Sequence, residues 1–173
     1  MKLSVVIPTL NRAAKLERTL RSLAAQTVPP DAYEVLVIDN GSSDGTAELL
    51  LCYGRNFRNW QGLREAQPGA AAARNRGVLA SRGEVVLFLD DDVIAASDLL
   101  QEHLNTQAAH PGSAVLGYVR NGWSETGSAF YWVLSRKQLM HSFRFSDPSD
   151  VPFVHLYSCN VSIPRAALLR VGL

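Results

Sequence analysis

The chain has 173 residues, 47% of them hydrophobic and 19% charged, with a formal net charge of +1. That length fits one domain with a substantial core, and the near-neutral charge gives no global electrostatic case for a nucleic-acid partner. Cys52 and Cys159 lie far apart with no CxxC spacing, so they suggest neither a disulfide framework nor a zinc site, and a reducing compartment is the simplest reading. The first apolar run, Leu3–Ile7, stops at Pro8. It is too short for a signal peptide, and nothing approaches the length of a transmembrane helix.

Leu3–Pro8 reads as an apolar strand. Ala13–Gln26 carries Ala13, Leu16, Leu20, Leu23 and Ala24 at helical spacing, with charges on the other face. Pro29-Pro30 breaks the chain, and Glu34–Asp39 is a second buried strand. Asn40–Gly45 is loop, and Thr46 is the expected N-cap of a short helix through Leu51. A weak edge strand is expected near Trp60–Arg64, a helix over Gly69–Ala80 and a turn at Arg82-Gly83. Glu84–Asp92 (EVVLFLDDD) is the third strong strand, running into Asp90, Asp91 and Asp92. Ser97 is the expected cap of a helix reaching about Ala109, ended by Pro111-Gly112. Beyond Ala114–Tyr118 the regularity fades: Asn121–Ser128 is loop, Phe130–Phe143 an aromatic and basic helix, Asp147–Pro152 loop. Alternating strand and helix predicts an α/β domain, a doubly wound, mostly parallel sheet flanked by helices.

The acids at the strand ends are the chemically informative residues. Ligands of such sheets bind just beyond the carboxyl ends of the strands. Three adjacent carboxylates there repel one another, and a hard divalent cation shared with phosphate and water resolves the conflict. A solvated acidic turn is the plain alternative. Asp39 ends the second strand on the same sheet edge. Its carboxylate has two readings: hydrogen bonds to a nucleobase or ribose, or an Asx turn before Asn40-Gly41. His155, in the apolar stretch Phe153–Leu156, is expected to be a packed core residue rather than a metal ligand. Phe130–Arg144 is expected mainly to pack in the core, with an acceptor cleft or a membrane surface as the other settings.

Four segments, SVVIPTLNR (4–12), VLVIDNGSSDGT (35–46), GAAAARNRGVLASRGEVVLFLDDDV (69–93) and SCNVSIPRAALLRVGL (158–173), occur in an order that resembles glycosyltransferase family 2. The resemblance implies the GT-A fold, a Rossmann-like sheet, and inverting transfer from a nucleotide-sugar. It sets Pro8 and Thr9 against the nucleotide, with Asn11 and Arg12 in the same loop. It gives Asp39 the base, commonly uracil, and Arg74 the base or phosphates. Asp90, Asp91 and Asp92 match the DxD-type motif, with Asp92 and Asp90 toward a magnesium or manganese ion and Asp91 toward ribose or metal-bound water. The implied donor is a UDP-sugar, and the acceptor a glycan, lipid-linked or small-molecule hydroxyl in glycan or polysaccharide synthesis. The implied location is cytoplasmic, with peripheral contact at the inner membrane face as one form of it.

The family's general base lies downstream of the last matching segment, often in a Glu-Asp motif, so the catalytic residue is expected beyond Leu173. Glu125, Asp147 and Asp150 are the remaining second-half acids, all in loop-like sequence. Residues 1–173 are therefore expected to form one GT-A domain truncated at its C-terminal end. Residues 1–113 would be the nucleotide-sugar-binding half and 114–173 the start of the acceptor half. A non-catalytic nucleotide-sugar-binding fragment is the alternative function. A dinucleotide oxidoreductase would need GxGxxG after the first strand, where Pro8-Thr9-Leu10-Asn11 stands. A sugar nucleotidyltransferase would need a Gly-rich basic loop there. A receiver-like module would need acids at the first strand and a late lysine.

Overall fold

A computed structural model describes residues 1–120, 147 and 151–172 of the chain. The strands are β1 (Leu3–Thr9), β2 (Tyr33–Asp39), β3 (Trp60–Arg64), β4 (Val85–Leu89), β5 (Val115–Leu116) and β6 (Asn160–Pro164). The helices are α1 (Ala13–Ala24), α2 (Thr46–Asn56), α3 (Ala70–Ala80), α4 (Leu99–Ala109) and α5 (Arg165–Val171). One six-stranded sheet runs β3-β2-β1-β4-β6-β5. The first four strands in that order are mutually parallel, β6 is antiparallel to β4, and β5 is antiparallel to β6.

Both faces of β1 and β2 are buried, which is why these strands read as unbroken apolar runs. On one face Val5, Ile7, Val35 and Val37 pack with Leu16, Leu20 and Leu23 of α1, joined by α2 and α4. On the other, Val6, Leu36 and Ile38 pack with Ala73 and Val78 of α3, with Leu168 of α5 against them. Each fully buried leucine contributes about 1.5–3 kcal/mol, so the leucine stripe of α1 fixes that helix to the sheet. Gly77 lets α3 approach closely: a Cβ there would lie 2.3 Å from Val6 Cγ1. Arg74, about one turn earlier, is thereby brought down to the carboxyl end of β4.

Strand order reverses between β1 and β4, which makes that gap the switch point of the sheet. The β1–β4 pairing stops at Val6–Phe88, while β1–β2 pairing continues to Thr9–Asp39. Pro8 therefore sits where β1 has already parted from β4, and its missing N–H breaks no bond on that side.

Four expectations need correction. Helix α2 continues to Asn56, because Leu49, Leu50, Tyr53 and Phe57 keep an apolar face on the core. Thr46 is its first residue, not its cap; its N–H and hydroxyl both donate to Asp44 Oδ1. Ser97 does not cap α4, which begins at Leu99, and the side chain of Gln26 supplies the missing acceptor, Oε1 taking the Leu100 N–H at 3.0 Å. His155 is half-buried in a short 3-10 turn (Phe153–His155) beside Tyr157, not packed in the core. Residues 121–146, 148–150 and 173 lie outside the described residues, and with them the expected Asn121–Ser128 loop, the Phe130–Phe143 helix, Glu125 and Asp150. Among the described residues, no helix is long and apolar enough to cross a membrane.

Two buried polar clusters hold the sheet and were not foreseen. At the amino end of β2, Glu34 is 2% exposed and accepts from Ser4 Oγ at 2.6 Å, Arg82 N at 2.7 Å and Arg82 Nε at 2.8 Å. Burial pushes the Glu34 carboxyl up, but these hydrogen bonds and the Arg82 charge outweigh it and leave it below the ordinary value. Its stabilising contribution is thus complete above the ordinary glutamate range and lost as pH falls through the lowered native value. Glu34→Ala is expected to cost about 1.5–3 kcal/mol at pH 7, the range for hydrogen bonds to a charged group. Urea unfolding at pH 7 and pH 4 checks this, and the variant's deficit should shrink at the lower pH.

The second cluster joins α4 to β6. Asn160 Nδ2 donates to the Tyr118 carbonyl at 3.3 Å, leaving Oδ1 to accept from His103 Nε2 at 2.9 Å. His103 Nδ1 then accepts from the Ser162 hydroxyl at 2.9 Å, and Gln107 Nε2 donates to that oxygen at 3.0 Å. Burial pushes the His103 imidazole down, opposed by Asn160, so a neutral ring matches this directed chain.

Candidate functional site

Three loops meet at the carboxyl edge of β1, β2 and β4. The β1–α1 and β2–α2 loops are bound to each other. Asn11 takes a left-handed φ of 53°, which asparagine tolerates. Its N–H donates to Ser42 Oγ at 2.9 Å, and its Oδ1 accepts from Ser43 N at 2.7 Å. Asp44 Oδ2 accepts the Ala13 N–H at 3.0 Å, satisfying a free donor at the start of α1. Asn40 clamps the loop before α3, donating to the Glu65 and Gln67 carbonyls and accepting from Gly69 N.

Asp39 is buried at the end of β2, and its Oδ1 accepts the Ser42 N–H at 2.8 Å. This bond reaches three residues on, one further than the expected Asx turn, and holds the same loop. Oδ2 has no hydrogen-bond partner among the described residues. Arg64, paired in register with Asp39, ends the edge strand beside it.

The triplet splits into three environments. Asp91 is 5% exposed. Its Oδ2 accepts from Thr9 Oγ1 at 2.8 Å, its Oδ1 from Arg12 Nη1 at 3.1 Å, and its carbonyl from Thr19 Oγ1 at 2.9 Å. This residue closes the switch point by tying β1 and α1 to the end of β4. Asp90 is half-buried, with Oδ1 3.0 Å from Arg74 Nη2. Burial holds the Asp90 carboxyl above the ordinary aspartate range; Arg74 opposes this, and Asp92 and Asp91 reinforce it. Asp92 projects outward, with Oδ2 3.0 Å from Arg12 Nη1 and 3.7 Å from Lys15 Nζ.

The structure thus brings together Thr9, Arg12, Arg74, Asp90, Asp91 and Asp92. Pro8 and Asn11 shape the loop beside them, and Asp39 stands on the far side of β1. Arg74 is not a solvated helix residue: its side chain is 22% exposed, and its Nε is buried without a partner among the described residues. Lys15 and Thr19 escaped the sequence reading. Their signal was present, as they follow Arg12 by three and seven residues, on the same face of α1. Asp147 is exposed.

No group of three or more His, Cys, Asp or Glu side chains converges as a metal cluster among the described residues. A site of one or two carboxylates completed by phosphate oxygens needs no such cluster. The donor set fits that type: hard carboxylate oxygens at a strand end, one of them well exposed. The Cys159 thiol reports the local field. It is pushed up to about 11 by burial, with Asp90 and Asp92 adding to the rise.

The sequence matches the family model "Glycosyl transferase family 2" over residues 4–164. The chain belongs to glycosyltransferase family 2. Within the family it is 41% identical to the validoxylamine A glucosyltransferase of Streptomyces hygroscopicus subsp. limoneus, covering 98% of this chain and 43% of that protein. It is 36% identical to the glycosyltransferase AglE of Haloferax volcanii, covering 73% of this chain and 42% of that one. This family 2 chain therefore spans less than half the length of these relatives. It superposes on Staphylococcus aureus TarS 1–349 in complex with UDP with a TM-score of 0.78 at 25% identity, covering 99% of this chain and 49% of the other. The mannosyltransferase PcManGT of Pyrobaculum calidifontis, in complex with GDP-Man and Mn2+, gives 0.73 at 25% identity, with 99% and 46% coverage. These neighbours confirm the mixed α/β GT-A architecture expected from the sequence.

Proposed function

We propose that this chain carries the donor site of an inverting glycosyltransferase that takes a nucleotide-sugar, with a UDP-sugar favoured, and a magnesium or manganese ion. The single observation behind this is the placement of Asp39 and the aspartate triplet on one sheet edge, on either side of the switch point. One strand, β1, separates them, so they stand roughly 10 Å apart at two strand spacings. A nucleoside diphosphate bridges such a span, base toward Asp39 and phosphates toward the triplet. The relatives solved with UDP and with GDP-Man and Mn2+ support the ligand class.

In this reading Asp39 Oδ2 accepts from the base, while Oδ1 keeps the loop in place through Ser42. Thr9, Pro8 and Asn11 form the floor beside the nucleotide. Asp91 is a positioning residue, because both its oxygens are already spoken for by Thr9 and Arg12. Asp92 and Asp90 would hold the cation, which when bound would stabilise charge on the departing diphosphate. Arg74 screens Asp90 and faces the phosphates. Residues 1–113 carry the donor contacts, and residues 114–173 would face the acceptor hydroxyl, whether glycan, lipid-linked or small-molecule.

Thermal denaturation with added nucleotides tests the reading. A ligand that binds only the folded chain stabilises it by about 2.7 kcal/mol at a hundredfold excess over Kd. UDP with Mn2+ should raise Tm, and UDP with chelator should raise it much less. No shift with any nucleoside diphosphate would contradict the proposal.

A further inference from the structure

The aspartate triplet carries its own counter-charges, one for one. Asp90 pairs with Arg74, Asp91 with Arg12, and Asp92 with both Arg12 and Lys15. These pairs are not equivalent. The Asp91 side chain is 7% exposed, so its pair belongs to the fold. At Asp92 the acid is 40% exposed, Arg12 47% and Lys15 54%. Exposed pairs of this kind add little to stability. Yet both cations converge on one oxygen, Asp92 Oδ2. A divalent cation that takes this oxygen must share it with, or displace, two positive groups. A diphosphate arriving with the cation offers those groups new acceptors.

We propose that Arg12 and Lys15 form a cationic latch on Asp92, which disfavours a divalent cation alone and passes to the phosphates when cation and nucleoside diphosphate load together. The inference rests on Asp92 being a metal ligand, the reading proposed above. The balanced site gives a lone cation little net attraction. A cation–diphosphate pair brings its own negative charge, which Arg12 and Lys15 can meet without leaving the rim. Lys15 lies on the first turn of α1, and its ammonium touches Asp92 and no other acid among the described residues. It can therefore move without disturbing the buried Thr9–Asp91–Thr19 contacts. The latch makes metal and nucleotide binding synergistic, and its removal should change the two affinities in opposite directions.

Mn2+ alone, titrated and read by electron paramagnetic resonance, and UDP titrated at saturating Mn2+ by calorimetry, test this on the 173-residue chain. The variants are Lys15→Gln, which leaves the Asp91 contacts intact, Arg12→Gln, and Asp92→Asn. Lys15→Gln should tighten Mn2+ alone about two- to fivefold, the scale of one exposed charge removed near a dication. It should weaken UDP at saturating Mn2+ by a similar factor, and Arg12→Gln should act in the same two directions. An unchanged or weakened Mn2+ affinity in Lys15→Gln, with Mn2+ still lost in Asp92→Asn, would overturn the latch and leave the metal reading standing. Mn2+ affinity unaffected by Asp92→Asn would overturn both.

Discussion

Asp92→Asn is expected to abolish the metal-dependent part of nucleoside diphosphate binding while leaving the fold intact. The carboxylate is exposed, and its only partners among the described residues are the exposed Arg12 and Lys15. Removing its charge costs the fold little, since exposed ion pairs are worth about 0–1 kcal/mol. For a hard divalent cation with few protein ligands, losing one charged oxygen removes a large share of the protein's hold. Calorimetric titration of UDP with and without Mn2+ measures the effect. Binding by the variant should fall to the value obtained with chelator. Unchanged metal-dependent affinity would remove Asp92 from the site. Asp91→Asn makes an instructive contrast. That side chain accepts from Thr9 and Arg12 inside the switch point, so its loss should appear as lowered Tm rather than as a selective loss of metal dependence.

Asp39→Ala should weaken UDP binding by about 1–3 kcal/mol, the cost of a lost charged hydrogen bond, which is roughly five- to 150-fold in Kd. Preference among UDP, CDP, GDP and ADP should narrow at the same time. The structure adds a complication, because Asp39 Oδ1 also accepts the Ser42 N–H. Part of the effect would come from a loosened loop. Asp39→Asn separates the two, since an amide oxygen can keep Ser42 in place while the charge is gone. If Asp39→Asn loses base preference as fully as Asp39→Ala, the carboxylate reads the base directly. If the parent chain binds all four nucleotides equally, Asp39 reads none of them.

What was legible in the sequence was what solvent-excluded strands and their ends dictate. Runs such as SVVIPT and EVLVID are apolar on both faces because helices cover both, and that pattern survives without any partner in view. The acids at Asp39 and Asp90–Asp92 stand out because they end such runs abruptly. Strand β6 was harder. NVSIP is short, and its Asn160 and Ser162 are buried against His103 of α4, some sixty residues away in the chain. No local periodicity announces a polar strand satisfied by a distant helix. The Thr46 and Ser97 caps failed for the same reason. A cap is a competition among acceptors, and Asp44 and the side chain of Gln26 won it. The division of labour within the triplet was also hidden. Three identical neighbours became one buried brace, one half-buried partner of Arg74 and one exposed ligand candidate, through tertiary contacts alone.

The central claim is that this sheet edge binds a nucleoside diphosphate together with a divalent cation. The most direct measurement is a calorimetric titration of UDP into the 173-residue chain, once with Mn2+ and once with chelator. Saturable binding at one nucleotide per chain is expected with Mn2+, and a much weaker or undetectable isotherm with chelator. Binding that is indifferent to the metal, or absent for UDP and GDP alike in its presence, would contradict it.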